Sequence, residues 1–326
     1  MSNLEPHPQE ARCGGTADVA AAPVRELLPG RDVVLGGTRG MPVSRTLPNK
    51  HRRMVGAWCF VDHYRGDVSM RVPPHPHTGL QTVTWLIDGE VRHRDSLGSD
   101  QLIRPGQLNL MTAGHGIAHA EDSTEPAGTT MALHGVQLWV ALPAAAAGLP
   151  PAFSHDADLP SFVDGGAQTR LLVGEVDGVA SPAHAYSPLF GAEVRFGAAT
   201  APVGTELRLE PDFEYAVLSL TTEDAGAVQV DGTTVPERAL LYLGTGRRSL
   251  AVTGTRDARL LLLGGEPFAE EMIMWWNFIG RSHDEIVAAR EDWVAGRRFG
   301  SVAYEGARLP APDMPITALL PKGRTR

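Results

Sequence analysis

From Thr82 to Leu142 the chain is a succession of short strand-like runs broken by turn residues, with no stretch of helical periodicity between them. Thr82–Ile87 is rich in β-branched and aromatic side chains, which suit a pleated surface. Asp88–Gly89 follows directly, and Glu90–Asp95 reads as the return strand. Asp-Gly between two such runs is a strong hairpin signal, because both positions of a type I′ turn take positive φ. Pro105–Gly106 marks another turn before Gln107–Thr112, and His134–Leu142 is a further strand. Closely spaced strands without intervening helices predict an all-β sandwich or barrel. The abundance of Gly (36) and Pro (25), without a collagen-like period, matches many tight turns.

The rest of the chain is organised around this core. Asp32–Leu35 and Pro42–Leu47 are short apolar runs, and Met54–Asp62 is a candidate buried strand. A second β-rich stretch runs from Thr169 to Gly264. It contains another Asp-Gly turn, Asp231–Gly232, between Val228–Val230 and Thr233–Val235, and it ends in the apolar run Leu260–Leu263. At 326 residues two domains are expected, and an internal duplication of one β domain is consistent with their similar turn chemistry. The expected division is a disordered N-terminus (1–24), a first domain (25–145), a linker (146–168), a second domain (169–298) and a tail (299–326) lying over the surface. One helix is expected. Ser282 and Glu285 match a capping box, Ile286, Ala289 and Trp293 form an apolar stripe, and Gly296 is a stop.

Composition excludes several classes. A formal charge of −9, with no basic run longer than the pairs Arg52–Arg53, Arg247–Arg248 and Arg297–Arg298, argues against direct nucleic-acid binding. Two cysteines, Cys13 and Cys59, make neither a disulfide framework nor a thiolate metal site. The first residues show no basic segment followed by an apolar core, and no apolar run approaches the roughly 20 residues that span a bilayer. A cytoplasmic monomer without membrane association is expected.

Two pairs of residues carry the chemistry. Strand side chains two apart share a face, so His75-x-His77 presents two imidazoles together and His119-x-Glu121 an imidazole and a carboxylate. Each pair sits beside Pro or Gly punctuation, Pro73–Pro74 before one, Gly114 and Gly116 before the other. Brought together inside a barrel, they offer three neutral nitrogens and one anionic oxygen. That set suits Fe(II), Mn(II), Ni(II), Cu(II) or Zn(II) and is poor for Ca²⁺ or Mg²⁺. His93 is a candidate to orient a ligand from behind. His115 is a candidate substrate contact. His134 and His63 read as structural, the latter with Asp62 and Tyr64 as partners, and Trp275–Trp276 reads as packing.

HPHTGLQTVTWLIDGEVRHRDSLGS, PGQLNLMTAGHGIAHAEDS and HGVQLWVAL together resemble the N-terminal domain of the pirin family. SRTLPNKHRRMVGAWCFVDHY upstream and GGEPFAEEMIMWWNFIGRSHDEIVAAREDW downstream extend the likeness over about residues 32–298. The resemblance implies a bicupin, two stacked antiparallel jelly-roll barrels with a short C-terminal helix, of which only the first holds metal. The second β-rich stretch, residues 169–264, contains one histidine, His184, and no H-x-H. The resemblance also implies His75, His77, His119 and Glu121 as ligands, iron as the commonest metal (Co joins the other candidates), and a quercetin 2,3-dioxygenase-like activity, with O₂ and a flavonol-like aromatic substrate. Eukaryotic pirins act instead as transcriptional co-regulators, so a metal- or redox-sensing regulator with a protein partner is the alternative. Two positions depart from the pattern. Gln81 stands where cupins usually carry a glutamate, which makes Glu121 the sole carboxylate and the candidate base. His115 stands where many pirins have arginine.

Overall fold

Along Ser249–Gly254 every second side chain is buried, and Val203–Arg208 alternates in the same way over its last four residues. This is the mark of strands with one face on a core. A computed structural model describes residues 11–13, 22–35, 41–126, 128–198, 201–221 and 227–321, and it resolves these strands into two barrels of one topology. In the first, a seven-stranded sheet runs in spatial order Ala152–Asp156, Leu108–Thr112, Leu80–Asp88, Met131–Ala141, Trp58–Val68, Met41–Leu47, Arg31–Leu35. It is partnered by a four-stranded sheet of Arg71–His77, Ile117–Ser123, Val91–Asp95 and Asp100–Ile103. In the second, the seven strands are Glu26–Pro29, Ala239–Gly244, Glu214–Ser219, Arg259–Gly265, Leu189–Phe196, Ala167–Val173 and Ser161–Asp164. The four are Val203–Arg208, Ser249–Gly254, Val228–Val230 and Thr233–Val235. Every pairing is antiparallel, and the two orders correspond strand for strand. The all-β bicupin expectation holds, and the repeated order supports duplication.

The barrels exchange edges. Glu26–Pro29 precedes the first barrel in sequence but pairs with Ala239–Gly244 of the second. Ala152–Asp156 follows the first barrel and closes its edge against Leu108–Thr112. The stretch 146–168, expected as a linker, therefore supplies a strand to each barrel, its other strand Ser161–Asp164 pairing with Ala167–Val173. Most of the N-terminus expected to be disordered lies outside the described residues. Within it, Ala11–Cys13 pair with Met272–Trp275, and Val24 N donates to Leu243 O at 2.9 Å. An apolar core that includes Trp58, Trp139, Leu218 and Leu261 spans both barrels. Each such buried side chain contributes roughly 1.5–3 kcal/mol. The barrels touch closely at Gly56 (φ +53°), where a Cβ would lie 2.9 Å from Gly265 Cα.

The two Asp-Gly turns behave differently. Asp231 (φ +46°) and Gly232 (φ +76°) make the left-handed pair that a tight hairpin needs, and their flanking strands do pair. At Asp88–Gly89 only the glycine has positive φ (+84°). Leu80–Asp88 and Val91–Asp95 are not partners: the turn carries the chain from one sheet to the other. The hairpin expected there is an arch. The buried run at Met54–Asp62 likewise becomes a strand only from Trp58.

The helix His283–Val294 buries Ile286, Ala289 and Trp293 as expected. Ser282 Oγ accepts from Glu285 N, while the Glu285 carboxylate accepts from Arg281 N, one residue earlier than a capping box places it. The tail beyond Phe299 runs over the outside of the four-stranded sheet of the first barrel, with Leu309 N donating to Pro74 O. Among the described residues no helix is long and apolar enough to cross a membrane.

Candidate metal centre

Arg71–His77 contains three prolines, which lack a ladder donor, and it accordingly sits at the edge of its sheet. Its inner neighbour is Ile117–Ser123, with His75 opposite His119 and His77 opposite Ile117. A bulge between His119 and Glu121 then sets Glu121 opposite Val72. On the far side of Ile117–Ser123 lies Val91–Asp95, placing Asp95 opposite His119 and His93 opposite Glu121. The period of two aims all these side chains into the barrel, where His75, His77, His93, Asp95, His119 and Glu121 are each at most 3% exposed.

Three imidazoles converge. The ring centroids of His75, His77 and His119 lie 4.2–5.1 Å apart, and the rings' ligand nitrogens lie within 4.8 Å of one another. Each ring is anchored through Nδ1. His75 donates to Pro73 O at 2.9 Å and His77 to Asn277 O at 3.1 Å, while His119 Nδ1 faces His93 Nδ1 at 3.4 Å. The Nδ1 bonds of His75 and His77 fix the tautomer that turns a lone pair on Nε2 inward. All three Nε2 atoms are buried without a hydrogen-bond partner among the described residues. Burial holds His75 at a pKa of about 4 and His77 and His119 well below the usual value, so the rings are neutral at pH 7. An unsatisfied buried acceptor is destabilising by roughly 1–3 kcal/mol, and a transition metal is the partner that such a cluster of neutral nitrogens fits.

Glu121 stands beside this trio and forms a second group of potential ligands with His93 and His119. Its Oε1 lies 3.3 Å from Thr84 Oγ1, which also lies 3.1 Å from Gln137 Oε1. A hydroxyl has one proton to give. Exchanging the Gln137 amide N and O lets that amide donate to Thr84 and frees the Thr84 proton for Glu121. Tyr64 is fully buried nearby. Burial, aided by the Glu121 carboxylate, raises its phenol well above the usual range, so it stays protonated.

The other sequence expectations sort clearly. His93 lies behind His119. His115 is exposed on the turn between Gly114 and Gly116, its backbone N bound to Leu149 O, and it belongs to neither ligand group. Gln81 points away from the chamber lined by the three imidazoles. Its Nε2 donates to Thr112 Oγ1 and to His184 O in the seam between the barrels, so strand direction itself keeps this position from supplying a ligand. His63 pairs with His134 (Nε2 to Nε2, 2.9 Å), whereas Asp62 binds Arg45. Trp275 and Trp276 are packing residues, as expected. Sequence reasoning missed Thr84, Asp95, Asn277 and Phe153, whose ring stacks on His93 at 4.4 Å. Asp95 had a signal, since H-x-D repeats the spacing of the two pairs. Asn277 had none, being 200 residues from His77.

The model of the pirin family matches residues 40–140, and that of the pirin C-terminal cupin domain matches residues 198–300. The chain is 46% identical over 292 residues to a Pseudomonas aeruginosa protein named "Putative quercetin 2,3-dioxygenase", covering 87% of this chain and 89% of that one. This chain belongs to the pirin family. A pirin-like protein of Caulobacter vibrioides is 36% identical, over 83% of this chain and 94% of its own. Among solved structures, a quercetin 2,3-dioxygenase from Acinetobacter baumannii matches with a TM-score of 0.82 at 41% identity, covering 90% of this chain and 97% of that one. The Escherichia coli pirin YhhW, solved in complex with nickel(II), shares the fold at 18% identity, with a TM-score of 0.57 over 75% of this chain and all of its own.

Proposed function

We propose that this pirin is a metal-dependent dioxygenase that opens the ring of a flavonol-like substrate with O₂, and that His75, His77, His119 and Glu121 hold its metal. The observation that carries the reading is the trio of buried neutral Nε2 atoms, converging without hydrogen-bond partners among the described residues. The names of the Pseudomonas and Acinetobacter relatives, both quercetin 2,3-dioxygenases by name, support the choice of reaction. Iron(II) is the first candidate, with Ni, Cu, Mn, Zn and Co compatible with the donors. A metal bound here would supply Lewis acidity, lowering the pKa of a substrate hydroxyl.

The chain supplies the rest. The Nδ1 bonds of His75 and His77 keep their rings neutral and oriented. Glu121, held by Thr84, takes up the hydroxyl proton as the only carboxylate in the ligand set. His77 packs edge-on against Trp139, an apolar wall that excludes water from the ligands. His115, exposed on its turn, meets substrate only at the rim. We place the protein in the cytoplasm as a monomer.

Quercetin consumption under O₂ tests the reading. Metal-loaded wild type is expected to consume quercetin. His75→Ala and His119→Ala are expected to lose both activity and near-stoichiometric metal. No metal-dependent consumption by wild type, or unchanged consumption by His75→Ala, sinks the enzyme. A metal-loaded protein that is inert to flavonols and recovers a partner protein in one metal state only supports the regulator instead.

A further inference from the structure

Two of the three converging imidazoles rest on neutral backbone carbonyls, Pro73 O and Asn277 O. The third does not. His119 Nδ1 faces His93 Nδ1 at 3.4 Å, His93 Nε2 lies 3.3 Å from Asp95 Oδ2, and Asp95 Oδ1 accepts from Leu97 N at 2.9 Å and Ser99 N at 3.0 Å. The chain is buried, with His93 2% and Asp95 3% exposed. The His93 ring is further held by Phe153, stacked at 4.4 Å with an 8° interplanar angle. Phe153 comes from the edge strand Ala152–Asp156, outside the contiguous first-domain sequence.

We infer that His93 and Asp95 are positioning residues for His119, forming one directional hydrogen-bond chain that makes His119 the most electron-donating nitrogen of the metal site. The inference rests on the proposed metal site and adds roles for two residues outside its ligand set. The direction of the chain follows from its end. Asp95 as a carboxylate can only accept, so His93 Nε2 carries the hydrogen and donates it. That leaves His93 Nδ1 with a lone pair, which accepts from His119 Nδ1–H. His119 Nε2 is thereby left as the inward donor. A carboxylate behind a ligating histidine raises that ligand's basicity more than a neutral carbonyl does. His93 also belongs to the second group of potential ligands, with His119 and Glu121. A lone pair engaged by His119, and a proton engaged by Asp95, leave it no nitrogen for a metal.

Asp95→Asn breaks the direction while keeping an oxygen for Leu97 N and Ser99 N. Its amide N–H₂ would face His93 Nε2, favouring the other tautomer and opposing two N–H groups between His93 and His119. His93→Phe keeps the volume and the stack on Phe153 but removes both nitrogens. The test is Co(II) titration of the metal-free protein, reading affinity by chelator competition and the visible d–d bands, with the thermal midpoint of the metal-free forms as a folding control. Each variant is expected to bind Co(II) about 10–100-fold more weakly, with shifted bands. The double variant is expected to be no weaker than His93→Phe alone, because both residues act through one chain. Affinities within twofold of wild type with unchanged bands overturn the inference, even if the thermal midpoint falls. Metal loss in His93→Phe as complete as in His119→Ala, with Asp95→Asn intact, also overturns it by making His93 a ligand. Wild type that binds no Co(II) overturns the metal site itself.

Discussion

The two barrels share one strand order and have opposite interiors. Where the first places His75, His77, His93, Asp95, His119 and Glu121 on its four-stranded sheet, the corresponding strands of the second bury Leu207, Val228, Val230, Leu250 and Val252. The backbone needs only a period of two and an inward face, and either lining satisfies it. The energetics differ. Aliphatic lining stabilises its barrel directly by leaving water. Imidazoles and carboxylates must be desolvated, and they are tolerated only where each polar atom finds a partner. The first barrel meets part of that demand from outside itself: Asn277 O, which holds His77 Nδ1, comes from beyond the second barrel. Fold alone does not make the site.

Acid provides the largest contrast between the halves. His63 and His134 lie on adjacent strands of the first barrel. Burial, then His134 and Arg65, lowers His63 to about 3, and burial, then Arg65 and Arg259, lowers His134 to about 4. Both folded values lie below the ordinary 6.5, so the unfolded chain takes up protons first and stability falls as pH drops from about 6.5 towards about 3. The slope expected is at most about 1.4 kcal/mol per pH unit for each histidine. Urea unfolding of the metal-free protein between pH 7 and 4 measures it, and a His63→Gln/His134→Gln double variant should flatten the profile. A wild-type profile no steeper than the double variant's would remove this distinction between the barrels.

Leu250→Ala cuts into the apolar lining and is expected to destabilise by roughly 2–5 kcal/mol, with the metal content of the folded fraction unchanged. Loss of metal in that variant would show that the two interiors are coupled. Gln81→Glu restores the usual cupin residue. Because position 81 points into the seam, the variant should gain no ligand and leave metal stoichiometry unaltered. Losing the donors to Thr112 and His184 O should lower stability by about 1–3 kcal/mol. A tighter metal site in Gln81→Glu would contradict the observed strand direction.

Much of this was legible beforehand, for identifiable reasons. The β-branched and aromatic run Thr82–Ile87, the strand-like run His134–Leu142, the Asp231–Gly232 hairpin and the Ser282 cap are local signals, and each produced the element expected. The H-x-H and H-x-E spacings announced the imidazole trio because strand periodicity is local too. The arch at Asp88–Gly89 was not legible, since turn chemistry reverses a chain without choosing its sheet. Nor was the capture of Ala152–Asp156 by the first barrel, because a proline-flanked segment becomes a strand only when a partner edge awaits it.

The sequence by itself singled out His75, His77, His119 and Glu121 as candidate ligands that could share a barrel interior. Only the tertiary structure decided how they are held. Thr84 behind Glu121, the carbonyl of Asn277 on His77, His93 behind His119 and Phe153 on His93 are contacts between segments far apart in the chain. They depend on register and sheet order, which long-range packing sets and local pattern does not.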